Sequence, residues 1–411
     1  MKHKIFDLIE KEAKRQEENI NLIASENYAD KEILEATGSV LTNKYAEGYP
    51  GRRYYAGCEV IDEVELEAIN SCKKLFDAEH ANVQPHSGSS ANFAVYMSHL
   101  NPGDTVLGMS LSCGGHLTHG HKVNFSGKVF NFIQYGVSPE NELIDYDEIE
   151  TLANQNKPKM IVAGTSAYPR IVDYKKLREI ADHCGSILLI DMAHVSGLVA
   201  AKVHPNPMPI SDIVSSTTHK TLRGPRSGFI CCKTDFAQKI DRAIIPGCQG
   251  GPLMNTIAAK AIAFDKAAKP DFVEYQKKVL ENAKAMADEF KNLGYRVVSG
   301  GTDTHLILVD VKHDSDLTCG SVTGAVVEDT LTKCNITLNR NSIPFDKESP
   351  FITSGIRIGT AATTTRGFGK KEIKQVVHWI NDAIKKRDDD KFLQSLKQEV
   401  IKLCNQFPVY K

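Results

Sequence analysis

Apolar positions along this chain recur with two different periods, and the alternation between them sets the expected architecture. In EVIDEVELEAINSCKKLF, starting at Glu59, they return at helical spacing. The short runs HANVQP, TVLGMS, KMIVAG, SILLIDM, DIVSST and SGFICCK read instead as buried strands. Helical stretches such as SSANFAVYMSHL and YKKLREIADHC separate them. Strands alternating with helices predict an α/β fold, with a mainly parallel sheet covered by helices. Ligands bind such sheets at the C-terminal strand ends.

The flanking regions follow other patterns. Ile5, Leu8 and Ile9 describe a short amphipathic arm helix, and Asp30 stands where a second helix would be capped. NKYAEGYPGRRYYAGCE is a loop by composition. Beyond AFDKAAKPD, a long charged helix (FVEYQKKVLENAKAMADEFKNLG) precedes YRVVSGG, THLILVDV and NITLN, then a closing helical run. The expected division is an arm over 1–45, a large domain over 46–270 and a smaller α+β domain over 271–411.

Composition narrows the function classes. With 411 residues the chain can bury a large core and a second domain, and its formal net charge of -1 argues against nucleic acid or an acidic membrane as its main partner. The ten cysteines are scattered and form no CxxC pair, as expected of reduced thiols. MKHKIFDLIEKEAKRQEENI has no apolar signal core, and no run is apolar enough to span a bilayer. A cytoplasmic protein is expected.

Four constellations carry candidate chemistry. The strand in SILLIDMAH ends in Asp191, with His194 just beyond, and STTHKTLRGP sets Lys220 at the end of the next strand among four hydroxyls. A carboxylate that keeps a pyridine nitrogen protonated and an amine that forms an imine with an aldehyde are the minimal equipment for pyridoxal phosphate. Taken singly, Asp191 is as well read as a turn former and Lys220 as a solvated loop residue. HSGSSAN places Ser87, Gly88 and Ser89 between a strand and a helix, where N–H groups and hydroxyls can cradle a phosphate. A plain capped turn would look the same. GGHLTHGH holds His116, His119 and His121; without a spaced acidic or cysteine partner it favours one imidazole stacked on an aromatic cofactor over a metal site. In SGIRIGTAATTTRG, Arg357 offers a planar fork for a carboxylate, although alone it would pass for a surface arginine.

These stretches, together with NLIASEN, NKYAEGYPGRRYY, QGGPLM, GGTDTHLILVD and SPFITSGIRIGT, occur in the order of a known family. The chain resembles the serine hydroxymethyltransferases, pyridoxal-phosphate enzymes of the aspartate aminotransferase superfamily (fold type I). The resemblance implies pyridoxal 5'-phosphate covalently held on Lys220, with Asp191 at the pyridine nitrogen and His116 against the ring. Ser166 and His194 would lie near the phenolic oxygen. Ser87, Gly88, Ser89 and Tyr45 would bind the phosphate, with Gly250 and Gly251 reaching over from a second subunit. Arg357, Ser25 and Tyr55 would hold the substrate carboxylate. Glu47, His219 and Tyr55 would join Lys220 in the catalytic set. Leu111, Gly115, His116, Leu117, Asn341, Ser349, Pro350, Phe351 and Glu47 match folate-contacting positions. Cys113, Asn255, Pro169 and Ser227 depart from the family pattern without removing a catalytic group.

The implied reaction is the reversible conversion of serine and tetrahydrofolate to glycine and 5,10-methylenetetrahydrofolate, in a homodimer with shared sites. A threonine or β-hydroxy-amino-acid aldolase would use the same Lys220 and Asp191, but Glu47 and the SPF segment favour the folate enzyme. A catalytically dead relative that binds RNA or protein fits less well, because every residue with a proposed role is present.

Overall fold

The computed structural model describes residues 3–312 and 322–410. It contains two compact units, one of Ala29–Ser166 with Ile171–Gln276, the other of Met1–Tyr28, Ala167–Arg170 and Lys277–Lys411.

The larger unit is built on a seven-stranded sheet: β1 (His80–Asn82), β2 (Thr105–Met109), β3 (Asn131–Tyr135), β4 (Met160–Ala163), β5 (Ile187–Asp191), β6 (Ile213–Thr217) and β7 (Gly228–Cys232). Their order across the sheet is β1-β7-β6-β5-β4-β2-β3. Only β7 runs against the others, pairing antiparallel with both β1 and β6. The expected α/β fold with a mainly parallel sheet is what forms. Central strands read as unbroken apolar runs because helices cover both faces: Val106, Met160, Val162, Leu189, Ile213 and Ile230 are buried with Ala91, Val95 and Tyr96 of a covering helix. Each buried branched side chain contributes about 1.5–3 kcal/mol.

Two local expectations change. Strand β3 carries polar Asn131 and Gln134 and is largely half-buried at the sheet edge, so it lacks the apolar run that marks its neighbours. Asp30 does occupy the cap position of the Lys31–Thr37 helix, but its side chain makes no capping bond. Its carboxylate pairs with Arg223 at 2.6 Å and Lys266 at 3.2 Å, because charged donors outcompete a main-chain N–H. The loop after residue 43 also contains a small hairpin, Gly48–Tyr49 against Arg52–Arg53. Arg53 anchors it by pairing with Asp62 at 2.8 Å and Glu65 at 2.7 Å.

The second unit has a four-stranded antiparallel sheet of β8 (Arg296–Val297), β9 (Leu306–Asp310), β10 (Asn339–Asn341) and β11 (Gly355–Gly359), ordered β8-β9-β11-β10. Ile307, Val309, Ile356 and Ile358 pack with Val376, Ile380, Leu393 and Val400 from the C-terminal helices. Arg366 closes this core from one side. The residue is 2% exposed, and its guanidinium donates to the carbonyls of Asn19 (2.7 Å), Glu17 (3.0 Å), Phe407 (3.0 Å) and Cys404 (3.1 Å). It therefore ties the end of the arm helix (Lys4–Glu17) to the end of the C-terminal helix. Replacing Arg366 with Leu removes the side-chain donor from four carbonyls, of which that of Cys404 keeps the Phe407 N–H, and should cost on the order of 3–5 kcal/mol. A thermal melt checks this: a midpoint lowered by several degrees is expected, and one within a degree of the parent would refute it.

Candidate active site

The site grows from the carboxyl ends of neighbouring strands. Strand β5 ends on Asp191, whose backbone stands opposite Ser215 of β6. After β6 the chain turns back sharply into β7, and Lys220 lies in that turn. The four hydroxyls around it stitch the turn. Thr217 donates to the Ala193 carbonyl (3.3 Å) and Thr221 to the His194 carbonyl (2.8 Å). Thr218 donates to the Pro225 carbonyl, and Ser216 to the Thr217 carbonyl at 3.2 Å. Arg223 takes a left-handed conformation (φ 63°), costly for a non-glycine residue, and its ion pair with Asp30 supports it. The turn is thereby rigid, and Lys220 is 8% exposed.

Asp191 is held by partners that the strand pattern alone does not reveal. Its Oδ2 accepts a hydrogen bond from Asn92 Nδ2 at 2.9 Å and lies 3.2 Å from His119 Nε2, while Oδ1 accepts from the Ala193 N–H at 3.0 Å. Burial alone would push this carboxyl up, but the bond from His119, the nearby His116 imidazole and Asn92 together hold it far below the usual range. Asn92 is itself fixed by Ser215, whose hydroxyl donates to Oδ1 at 2.6 Å. His119 is the member of the GGHLTHGH trio that matters here; its spacing from His116 was visible, but its target was not. His116 Nδ1 lies 2.8 Å from the Thr118 hydroxyl. Among the described residues no group of three or more His, Cys, Asp or Glu side chains is arranged to hold a metal.

A third element approaches from β1. Ser87 caps the Gly88–His99 helix, accepting from Ser90 N–H at 3.1 Å while its own N–H donates to Ser90 Oγ at 2.8 Å. The first-turn N–H groups of Gly88 and Ser89 have no acceptor within a helix and form an anion cup. Gly228 opens β7 directly against it: a Cβ there would lie 2.3 Å from the Ser87 carbonyl oxygen. Glycine is required by this close approach.

Ser87, Gly88, Ser89, His116, Ser166, Asp191, His194, His219 and Lys220 all line one cavity of about 170 Å³. His119 of the GGHLTHGH trio, Thr165, Ala193, Thr217 and Arg226 complete its wall; the last four had no site role assigned from the sequence. His219 Nδ1 is buried there without a hydrogen-bond partner among the described residues. Burial, then the charges of Lys220 and Arg226, push this imidazole down to about 3, so it is neutral at physiological pH. An ionised acid, an amine, an anion cup and an open imidazole nitrogen around one cavity fit a phosphorylated pyridine aldehyde.

Other expected site residues stand elsewhere. Tyr45, Glu47, Gly250 and Gly251 form a cluster of their own, with Tyr45 Oη donating to Glu47 Oε1 at 3.1 Å and accepting from Gly251 N–H at 3.5 Å. Tyr55 meets the Tyr45 ring edge-on at 5.4 Å. None of these five lines the cavity. Leu111 and Leu117 are exposed, and Gly115 sits tightly against Met109. Ser25, Asn341, Arg357, Ser349, Pro350 and Phe351 belong to the second unit. There Arg357, on β11, donates from Nε to Asn339 Oδ1 at 3.0 Å, and burial pulls its guanidinium down to about 10. Phe351 is 83% exposed.

Comparison with known families agrees with this chemistry. The family model for serine hydroxymethyltransferase matches residues 1–380. A match spanning nearly the whole chain, over a cavity with these groups at its rim, places the protein in the serine hydroxymethyltransferase family of pyridoxal-phosphate-dependent glycine/serine hydroxymethyltransferases.

Proposed function

We propose that this enzyme transfers the hydroxymethyl group of L-serine to tetrahydrofolate, giving glycine and 5,10-methylenetetrahydrofolate, and runs in both directions. The observation that carries this reading is the convergence of Lys220, Asp191 and the Ser87–Ser89 cup on one cavity. When bound, pyridoxal phosphate supplies an electron-withdrawing ring that stabilises negative charge at the substrate Cα. Lys220 Nζ would be the point of covalent attachment for the cofactor's aldehyde carbon. The Asp191 carboxylate holds a proton at the ring nitrogen, and the cup orients the phosphate. With the cofactor bound, His116 would pack on its ring, while Ser166 and His194 would serve its phenolic oxygen.

Arg357, with Ser25 and Tyr55, binds the substrate carboxylate and so orients the bond to be cleaved. Glu47 moves the proton of the serine hydroxyl, and neutral His219 stands ready beside Lys220. Leu111, Gly115, Leu117, Asn341 and Ser349–Phe351 receive the folate. Residues 46–270 form the cofactor-binding domain and 271–411 the smaller domain.

The working form in this reading is a cytoplasmic homodimer with shared sites. Two features support the dimer. Tyr45, Glu47, Tyr55, Gly250 and Gly251 cluster with one another and do not line the cavity of their own chain, as residues lent to a second copy would. Ile5, Phe6, Leu8 and Ile9 also leave one face of the arm helix about half exposed. No described helix is long and apolar enough to cross a membrane.

Folate dependence tests the reaction. Without tetrahydrofolate, serine cleavage should fall on the order of a hundredfold, because the acceptor no longer sits beside the departing carbon. Threonine cleavage should not respond to folate. Serine turnover indifferent to tetrahydrofolate, with threonine the better substrate, would identify an aldolase instead.

A further inference from the structure

Lys260 belongs to none of the groups described so far. It lies on the Met254–Ala267 helix, is 1% exposed, and turns its ammonium into the protein. Nζ donates to three main-chain carbonyls: Val83, Gly228 at 2.8 Å and Pro85 at 3.3 Å. An ammonium has three N–H donors, and all three are used. A neutral amine, with two N–H donors, could serve only two of these carbonyls at once. Burial pushes the amine down to about 7, opposed by the Cys72 and Glu65 side chains. Glu65 is already engaged by Arg53 at 2.7 Å and Gln84 at 2.8 Å.

The three carbonyls frame the anion cup. Val83 and Pro85 lead from β1 into Ser87, and Gly228 is the residue against which Ser87 and Gly88 pack. The Pro85 carbonyl is the hub of this region, also accepting from Gly228 N–H at 3.2 Å and from the Ser227 hydroxyl at 3.0 Å. A structural lysine would need only to fill space; this one gathers the two chain segments that shape the cup and sets a positive charge beneath them.

We infer that Lys260 is a positioning residue for the cup: docked on the Val83, Pro85 and Gly228 carbonyls, it fixes the Ser87–Gly88 backbone and supplies a buried positive charge that favours a phosphate ester dianion. This rests on the reading that the cup receives the cofactor phosphate.

The test uses the full chain freed of cofactor and compares the dissociation constants of pyridoxal 5'-phosphate and pyridoxal. The parent should prefer the phosphate ester strongly. Lys260→Met, close in shape and uncharged, should lose about tenfold or more of that preference, since a charge in a low-dielectric setting acts on the dianion and not on the neutral ring. Lys260→Gln can still meet some of the carbonyls and carries the same comparison if the methionine variant does not fold. Equal weakening of both ligands, leaving the preference within about twofold of the parent, would make Lys260 merely structural and overturn the inference. No preference in the parent itself would overturn the phosphate reading of the cup instead.

Discussion

Lys220→Ala protein is expected to turn over serine at least about a thousandfold more slowly than the parent, with little change in the Michaelis constant for serine. The side chain is lost, but the turn that presents it is not. That turn is held by Thr217, Thr218 and Thr221 hydroxyls and by the Arg223 N–H donating to the Lys220 carbonyl at 3.1 Å, none of which needs the amine. The variant should therefore fold, melt within a few degrees of the parent and still bind the cofactor without a covalent bond. Steady-state kinetics and borohydride reduction, followed by mass measurement of the chain, read both consequences. A variant retaining more than a tenth of parental turnover would remove Lys220 from the chemistry.

Asp191→Asn should be the next most damaging change, lowering turnover about a hundredfold to a thousandfold. The substitution keeps the shape and deletes the charge that would hold a proton on the ring nitrogen. It also disturbs the supporting shell, because an amide can offer only one acceptor where Asn92, His119 and the Ala193 N–H all converge. His119→Ala retains the carboxylate and loses one partner, so about tenfold is expected there. The sign of the pH effect follows from the depressed carboxyl: Asp191 keeps its charge well below the usual carboxylate range, so no acid limb in the rate profile near pH 4 belongs to it. Equal rates for the parent and Asp191→Asn would show that the ring nitrogen's proton is not held here.

Much of this arrangement was legible beforehand because it depends on local patterns. Apolar runs marked β4, β5 and β7, since strands covered on both faces admit few polar residues, and the Ile213-Val214 pair marked β6 although Ser215, Ser216 and Thr217 follow it. Asp191 at the end of one such run and Lys220 just past the next had to reach the same rim once the two strands were parallel neighbours. The edge strand β3 escaped, because Asn131 and Gln134 break its pattern where solvent tolerates them.

What the linear order could not convey was which polar groups would be spent on one another. The hydroxyls around Lys220 looked like reactive surroundings and proved to be main-chain stitches. Asp30 looked like a cap and became the counter-ion of Arg223. His119 and Asn92 reach Asp191 from 72 and 99 residues away, and Lys260 reaches the Pro85 carbonyl from 175. Periodicity and chain order thus carried the class of fold and the chemistry on offer. Partner choice was settled only by folding, because a hydrogen bond or ion pair depends on distances of about 3 Å in space, which separation along the chain does not encode.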